Sequence, residues 1–205
     1  GYYYVGKNLA FAFDTALPFG LTSRQQMSWM YSGNGLKLTR EFLRDYNVIN
    51  FPGGNTGAQM GGWFRREIKS LADLNGLKMR IPGLAGRVYK ELGVDSRLLP
   101  PGEIFPALER GVIDAAEFVG PYLDRQLGLH RAAKYYYTTG WHETATASEL
   151  IVNKAKWASL PPDLKAIVEN ACAACNVSGE AWCQKNNAEA MEDLIKNQGV
   201  TAQPL

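Results

Sequence analysis

Two charged side chains stand where short apolar stretches of this sequence end. Arg80 precedes Pro82-Gly83, and Glu117 lies within the segment Ile113–Val119. A guanidinium at a strand end can hold a carboxylate with two parallel hydrogen bonds, a geometry that Lys does not reproduce; an exposed structural Arg is the simpler alternative. A carboxylate that ends an apolar strand is costly to bury unless it is paired. Glu117 therefore either belongs to a polar site or pairs with a neighbouring Lys or Arg.

A second carboxylate, Glu143, leaves the same two alternatives open. It follows His142 in a segment that is typical of a loop. We expect His142 to orient Glu143 and not to bind a metal ion, because the other histidine, His130, provides no recognised ligand spacing with it. His130 lies on a helical stretch and is expected at the surface.

The sequence lacks the motifs of the common catalytic classes. It contains no Ser-His-Asp or Cys-His pairing, no H-E-x-x-H and no Gly-rich phosphate loop. Cys172 and Cys175 form a C-x-x-C pair near Cys183, but they lie inside an Ala-rich helical run, whereas a reactive pair needs a helix N-terminus. No second pair or nearby His completes a zinc site. We expect the three cysteines to pack a helix against a core.

The composition is that of an ordinary globular protein. Hydrophobic residues make up 46% and charged residues 20% of the 205 positions, which is typical of a chain that folds. The 22 basic residues are scattered and the formal net charge is +2, so we expect no nucleic-acid partner. No run of about 18 apolar residues occurs. Gly1–Tyr4 has neither the basic nor the apolar part of a secretory signal.

The middle of the chain alternates between strand and helix patterns. The predicted order is strand 77–81, helix 85–92, strand 97–99, helix 103–110 and strand 113–119. Two such β-α-β units predict a mostly parallel sheet, and open α/β sheets bind ligands beyond the carboxyl ends of their strands. Arg80 and Glu117 lie at those ends.

The flanking segments predict further elements. They are a helix over 22–46 broken near Gly33 and Gly35, strands at 48–51, 135–137 and 148–153, a loop at 52–57, a helical stretch from 122 to 131 and a helix from about 160 to 197. A helix of more than about 30 residues is expected to cross more than one lobe of a small protein. Because no linker divides the chain, two lobes would require it to pass between them more than once.

The order of seven motifs resembles that of the solute-binding proteins of TRAP transporters, the tripartite ATP-independent periplasmic systems. The resemblance is greatest to the subgroup that binds 2-oxo acids such as pyruvate. The motifs are Ala16–Leu21 (ALPFGL), Phe51–Phe64 (FPGGNTGAQMGGWF), Leu77–Gly83 (LKMRIPG), Gly102–Phe105 (GEIF), Gly111–Glu117 (GVIDAAE), Gly140–Glu143 (GWHE) and Val152–Lys154 (VNK). Members of that family are longer, so the resemblance implies a partial chain.

The resemblance implies an α/β fold of two lobes, similar to a type II periplasmic-binding protein, with a long helix that crosses both lobes. The expected division places residues 1–58 and 119–142 in the first lobe and residues 59–118 and 143–205 in the second. Such a protein lies in the periplasm, captures a small organic acid anion by hinge closure and hands it to the TRAP membrane permease subunits. The resemblance also allows a homodimer of the full-length protein.

The resemblance also implies roles for individual residues. By this resemblance, Arg80 aligns with the residue that binds the ligand carboxylate in the family. Two carboxylates beside an anionic ligand repel it unless a cation lies between them, and the resemblance implies a sodium or calcium ion in that place. Oxygen atoms of Gln59, Glu117, Glu143 and the backbone of Phe118 suit such a hard ion, together with oxygen atoms of the ligand.

Two aromatic residues complete the expected site. Close relatives often have Trp at the position of Phe118, a difference that matters little if only the backbone carbonyl is used. Phe118 and Trp141 either form an apolar wall beside the alkyl end of the ligand or belong to the core.

Three alternatives stay open. The ligand could be another acid, such as lactate, a C4-dicarboxylate, a sugar acid or ectoine, because shared architecture does not fix the ligand. A metal-assisted enzyme acting on small acids would use the same carboxylates, but it needs a nucleophile or a base. A periplasmic sensor domain would need a fused membrane or signalling segment.

Overall fold

Two β-sheets and the helices around them make up the computed structural model, which describes residues 2–205. The strands are β1 (Val48–Asn55), β2 (Gly62–Phe64), β3 (Lys78–Arg80), β4 (Asp95–Arg97), β5 (Ala115–Ala116), β6 (Tyr135–Tyr137), β7 (Ala147–Asn153) and β8 (Thr201–Gln203). The helices are α1 (Ser23–Tyr31), α2 (Gly35–Leu43), α3 (Gly83–Glu91), α4 (Pro101–Glu109), α5 (Pro121–Gln126), α6 (Leu129–Ala132), α7 (Lys154–Ser159) and α8 (Pro162–Asn197). The expected α/β fold class is confirmed.

The larger sheet has six strands in the order β4-β3-β5-β2-β6-β8. Strand β3 is parallel to β4 and β5, whereas β2 is antiparallel to both β5 and β6. The expected parallel pairing is therefore confirmed for β3, β4 and β5. The sequence predicts no strand at β2, because three residues are too few to show a period. A buried aromatic contact positions β2 in the sheet: the ring of Trp63 stacks on the ring of Tyr136, with the two centroids 3.9 Å apart.

The smaller sheet consists of β1 and β7, paired antiparallel. Strand β1 continues to Asn55, through a stretch that the sequence predicts as a loop. The pairing register shifts between Pro52 and Gly54. Proline has no N–H to donate, so a strand that contains it usually needs such an irregularity to continue.

Helix α8 joins the two sheets. It is 36 residues long and packs against both β1 and α5. Helix α5 is in turn bound to the larger sheet, because Asp124 accepts hydrogen bonds from Trp63 and Tyr136. The expected long helix that crosses both lobes is confirmed.

The expected first lobe consists of residues 1–58 and 119–142, and the expected second lobe of residues 59–118 and 143–205. The pairing of two strands does not follow this division. Strand β6 belongs to the larger sheet and β7 to the smaller one, whereas the expected division groups β6 with β1 and groups β7 with the strands of the larger sheet. The aromatic side chains of β6 pack on those of β2, and this contact decides the sheet that β6 joins. We propose that the chain crosses between the lobes near 56–61 and 138–146, and again along α8.

The cysteines lie on α8. Cys172 and Cys183 are half-buried and Cys175 is exposed, so the expected core packing is wrong for Cys175. No helix within residues 2–205 is both long enough and apolar enough to cross a membrane.

The buried Asp14 and the half-buried Glu149 lie beside the smaller sheet. Asn50 Nδ2 on β1 donates to Glu149 Oε1 on β7 at 2.6 Å, and the buried Asp14 lies next to Glu149. Burial and then the charge of Asp14 raise the pKa of Glu149 from 4.5 to about 8. At neutral pH the folded protein therefore keeps a proton on Glu149 that the unfolded chain has released.

This pKa difference predicts a pH-dependent stability. Because the folded state binds the extra proton between pH 4.5 and about 8, the free energy of unfolding should fall as the pH rises through that window. Glu149→Gln removes the titrating group and should flatten this part of the profile. Urea unfolding at a series of pH values measures the slope, with the exposed Glu91→Gln as control. Parallel profiles for the wild type and Glu149→Gln would contradict a protonated Glu149.

Candidate functional site

Arg80 and Glu117 meet at one edge of the larger sheet. Arg80 ends β3 and pairs in register with Ala116, which ends the parallel strand β5. Because parallel strands end at the same edge, the side chains that follow lie close together. Arg80 Nη1 is 3.1 Å from Glu117 Oε2, and the two side chains are 1% and 0% exposed. Nη1 also donates to the backbone carbonyl of Glu117. The alternative of an exposed Arg80 is wrong.

The guanidinium of Arg80 has two further partners. Its Nε donates to the carbonyl oxygen of Leu99 at 3.3 Å, and its Nη2 donates to the hydroxyl of Tyr3 at 3.1 Å. An Arg side chain has five N–H groups. With the two bonds to Glu117, these contacts leave one N–H of Nη2 free to bind an acceptor.

Glu143 is joined to Gln59 through both backbone and side chains. The backbone N–H of Gln59 donates to the carbonyl oxygen of Glu143 at 2.9 Å. Gln59 Nε2 donates to Thr146 Oγ1 at 3.1 Å, and the same hydroxyl donates to Glu143 Oε2. Sequence reasoning missed Thr146, because a single Thr before a strand carries no recognisable signal.

The two carboxylates come together around His142. Ligand atoms of Glu117, His142 and Glu143 lie within 4.8 Å of one another, and all three residues are buried. His142 Nε2 is 3.4 Å from Glu117 Oε1. His142 thus faces Glu117, whereas the sequence predicts an interaction with Glu143.

Burial and charge shift the protonation of this cluster. Burial, followed by the charge of Glu117, raises the pKa of Glu143 to about 7. Burial opposes the charged form of His142, but the adjacent Glu117 outweighs it and raises the pKa of that imidazole. Both pKa shifts favour uptake of a proton by the cluster, which reduces the repulsion between Glu117 and Glu143.

Two oxygen atoms of the cluster lack a hydrogen-bond donor. Gln59 Oε1 and Glu117 Oε1 are buried, and neither accepts a hydrogen bond from residues 2–205; His142 Nε2 lies 3.4 Å from Glu117 Oε1 but forms no hydrogen bond with it. Buried polar atoms are nearly always satisfied, so each exception calls for an explanation. A hard cation would satisfy both atoms and reduce the repulsion between Glu117 and Glu143. The carboxylate and amide oxygens present are the ligand types that such an ion prefers.

Two glycines allow the chain to pack closely around Gln59. A Cβ on Gly140 would lie 1.9 Å from the carbonyl oxygen of Gln59. Gly62 has a φ of 119°, a region that favours glycine, and a Cβ there would lie 2.9 Å from the carbonyl oxygen of Ala116. The absence of side chains at these positions keeps Gln59 next to the end of β5 and to Glu143.

Asp124 fixes the loop that follows β5. Its carboxylate accepts from the backbone N–H groups of Val119 and Gly120 at 3.1 and 3.0 Å. It also accepts from Trp63 Nε1 at 2.9 Å and from the Tyr136 hydroxyl at 2.8 Å. Burial raises the pKa of Asp124 to about 6 although four donors favour the ionised form. The loop behind Phe118 is thereby held against the larger sheet.

The two aromatic residues of the expected site lie in different surroundings. The ring centroid of Phe118 is 5.8 Å from the guanidinium carbon of Arg80, so Phe118 borders the charged cluster. Trp141 stacks on Phe19 at 5.3 Å and lines an apolar cavity of about 490 Å³ together with Tyr89. Neither Arg80 nor a carboxylate lines that cavity. The ligand contacts expected for both aromatic residues stay predictions.

The tight contact at Gly140 predicts a steric effect. Gly140→Ala should destabilise the protein by roughly 1–3 kcal/mol, because the new Cβ would overlap the rigid backbone of Gln59. Gly102→Ala on α4 is the matched control, since a Cβ there meets nothing within 4 Å. Urea unfolding compares the two variants. Equal stabilities would show that the backbone at Gln59 has more room than the structure gives it.

Comparison with known proteins relates this chain to a family. Residues 1–205 match the family described as bacterial extracellular solute-binding protein, family 7. The chain is similar to the monocarboxylate 2-oxoacid-binding periplasmic protein of Nostoc sp., with 50% identity over 194 residues, which are 95% of this chain and 53% of that protein. The chain thus spans about half the length of this curated relative.

Two solved structures of TRAP periplasmic solute-binding proteins are similar in both fold and sequence. The protein from Pseudoalteromonas atlantica, with bound sodium and pyruvate, is 43% identical with a TM-score of 0.93, over 100% of this chain and 62% of that chain. The protein from Colwellia psychrerythraea, with bound calcium and pyruvate, is 44% identical with a TM-score of 0.95, over 99% of this chain and 62% of that chain.

Proposed function

Because the chain belongs to family 7 of the bacterial extracellular solute-binding proteins, we propose that it captures a 2-oxo monocarboxylate such as pyruvate together with one sodium or calcium ion. One observation carries the proposal: two buried carboxylates, Glu117 and Glu143, lie beside one buried guanidinium, that of Arg80. The similar proteins with bound pyruvate, which hold sodium in one case and calcium in the other, support it.

Charge balance accounts for the need for a cation. Arg80 offsets one of the two carboxylates, and an acid anion alone would add a further negative charge to a buried site. A bound Na⁺ or Ca²⁺ supplies the positive charge that links the anionic protein groups to the anionic ligand. Gln59, Glu117, Glu143 and the backbone carbonyl of Phe118 are the groups that would hold it.

Arg80 would bind the carboxylate of the acid. One N–H of Nη2 is free, and the other contacts the hydroxyl of Tyr3, a residue that is 52% exposed. A carboxylate oxygen that replaces this hydroxyl would bring a negative charge to the guanidinium and so form an ion pair as well as a hydrogen bond. The ligand therefore gains up to two N–H donors while Arg80 stays fixed by Glu117 and Leu99.

We expect hinge closure because the groups that would bind the ligand and the ion lie in different parts of the fold. Arg80 and Glu117 belong to the larger sheet, whereas Gln59 and Glu143 lie in segments that run between the two sheets. A ligand and an ion that touch both sets of residues stabilise only the closed arrangement. The difference in affinity between open and closed forms is what shifts the population.

We also propose the setting in which the protein works. As a TRAP solute-binding protein it would act in the periplasm and deliver the acid to the membrane permease. It would bind the acid without converting it, because the chain belongs to a family of solute-binding proteins. A homodimer of the full-length protein stays a prediction.

Calorimetric titration with 2-oxo and 2-hydroxy acids, with sodium, with calcium and with neither, tests this proposal. We expect stoichiometric binding of a 2-oxo monocarboxylate that weakens when both ions are removed. Arg80→Ala should weaken binding by at least about 30-fold, because truncating one partner of a buried charge pair costs about 2–5 kcal/mol.

Two further variants make the test specific. Arg80→Lys keeps the charge but not the planar pair of donors, so it should restore only part of the affinity. Arg44→Ala removes an exposed Arg that contacts Asp45 and should have no effect. Retained affinity in Arg80→Ala would contradict the carboxylate clamp, and steady turnover of the acid would identify an enzyme instead.

A further inference from the structure

We propose that Thr146 is a positioning residue that fixes the side-chain amide of Gln59 with its oxygen toward the cation. The inference rests on the proposed function, because it concerns the same site. The hydroxyl of Thr146 would contact neither the ligand nor the ion. It would determine whether the oxygen or the nitrogen of the Gln59 amide faces the ion.

Two hydroxyl groups contact the amide nitrogen of Gln59. Thr146 Oγ1 accepts from Gln59 Nε2 at 3.1 Å, and Thr56 Oγ1 accepts from the same nitrogen at 3.4 Å. The backbone holds all the partners in place: Thr56 N–H donates to the carbonyl oxygen of Thr146 at 3.1 Å, and Gln59 N–H donates to that of Glu143 at 2.9 Å. The side chains therefore meet because two chain segments are bonded to each other.

The direction of these hydrogen bonds follows from a count of protons. Each hydroxyl has one proton to donate. Thr146 donates its proton to Glu143 Oε2, and Thr56 donates its proton to the carbonyl oxygen of Gly57 at 2.9 Å. A carboxylate that binds a cation is ionised and only accepts, so the proton of Thr146 stays committed to it. Both hydroxyls can then offer only lone pairs to Gln59.

This arrangement determines the orientation of the amide. The NH₂ group of Gln59 must face the two hydroxyls, because the opposite orientation would set its oxygen against two acceptors and lose two hydrogen bonds. Gln59 Oε1 consequently points away from them, and it is the atom that is buried without a donor. Thr146 thus prepares an oxygen ligand and keeps the amide N–H groups, which would repel a cation, out of the site.

Thr146→Val tests the inference, because valine keeps the shape and removes the hydroxyl. Loss of an outer group that orients a metal ligand typically lowers metal affinity by about 10–100-fold, so the calcium concentration for half-maximal pyruvate binding should rise by about that factor. Thr146→Ser keeps the hydroxyl and should stay within about threefold of the wild type. Thr144→Val is the matched control: its hydroxyl lies in the same loop but donates to the carbonyl oxygen of Leu21 at 2.8 Å.

A second readout needs no organic ligand. Calcium chloride alone should raise the unfolding temperature of the wild type, Thr146→Ser and Thr144→Val, and should raise that of Thr146→Val much less at equal concentration. If Thr146→Val does not fold, Thr56→Val should show a smaller change in the same direction, because it removes the longer of the two hydrogen bonds.

The outcomes separate this inference from the proposed function. A wild type that binds neither calcium nor a 2-oxo acid contradicts both. A wild type that binds both, with an unchanged calcium requirement in Thr146→Val and Thr56→Val, overturns only the role of Thr146. A Thr146→Ser variant as weak as Thr146→Val would also overturn it, because a retained hydroxyl would then fail to orient the Gln59 amide.

Discussion

Two buried carboxylates that share one buried guanidinium set the constraint on which the rest of the structure depends. Glu117 and Glu143 approach each other in a region that excludes water, and Arg80 pairs with Glu117. Buried charges persist only when they are paired and hydrogen-bonded. The oxygen atoms of Gln59 and Glu117 that accept no hydrogen bond mark the place where a further positive charge would bind. A bound cation would supply the missing positive charge, so that an acid anion could bind between it and Arg80.

The fold supplies this arrangement through strand ends and close backbone contacts. Parallel pairing of β3 with β5 puts Arg80 beside Glu117, and the antiparallel strand β2 brings the segment that contains Gln59 to the same edge. The glycine at position 140 lets the segment of Glu143 pack on Gln59. Each of these contacts involves main-chain atoms, so the side chains of the site are positioned by backbone geometry more than by their own packing.

Features set by local patterns could be predicted from the sequence, and features set by tertiary contacts could not. The long helix α8, the break between α1 and α2 and the strand ends at Arg80 and Glu117 follow from periodicity, glycines and motif order. Strand β2 has too few residues to show a period, and the sheets joined by β6 and β7 depend on aromatic packing with distant strands. Thr146 and Tyr3 act through single hydroxyls that contact distant residues, which no sequence spacing indicates.

The most direct test of the central claim is a crystal structure of the protein grown with calcium and pyruvate, with anomalous diffraction data that locate the calcium. A bound cation between the two carboxylates predicts one anomalous peak at coordination distance from Gln59 Oε1, Glu117 and Glu143, with pyruvate bound to the same ion and to Arg80. Pyruvate held by Arg80 with no ion at Glu117 and Glu143, or an ion bound elsewhere, would contradict it.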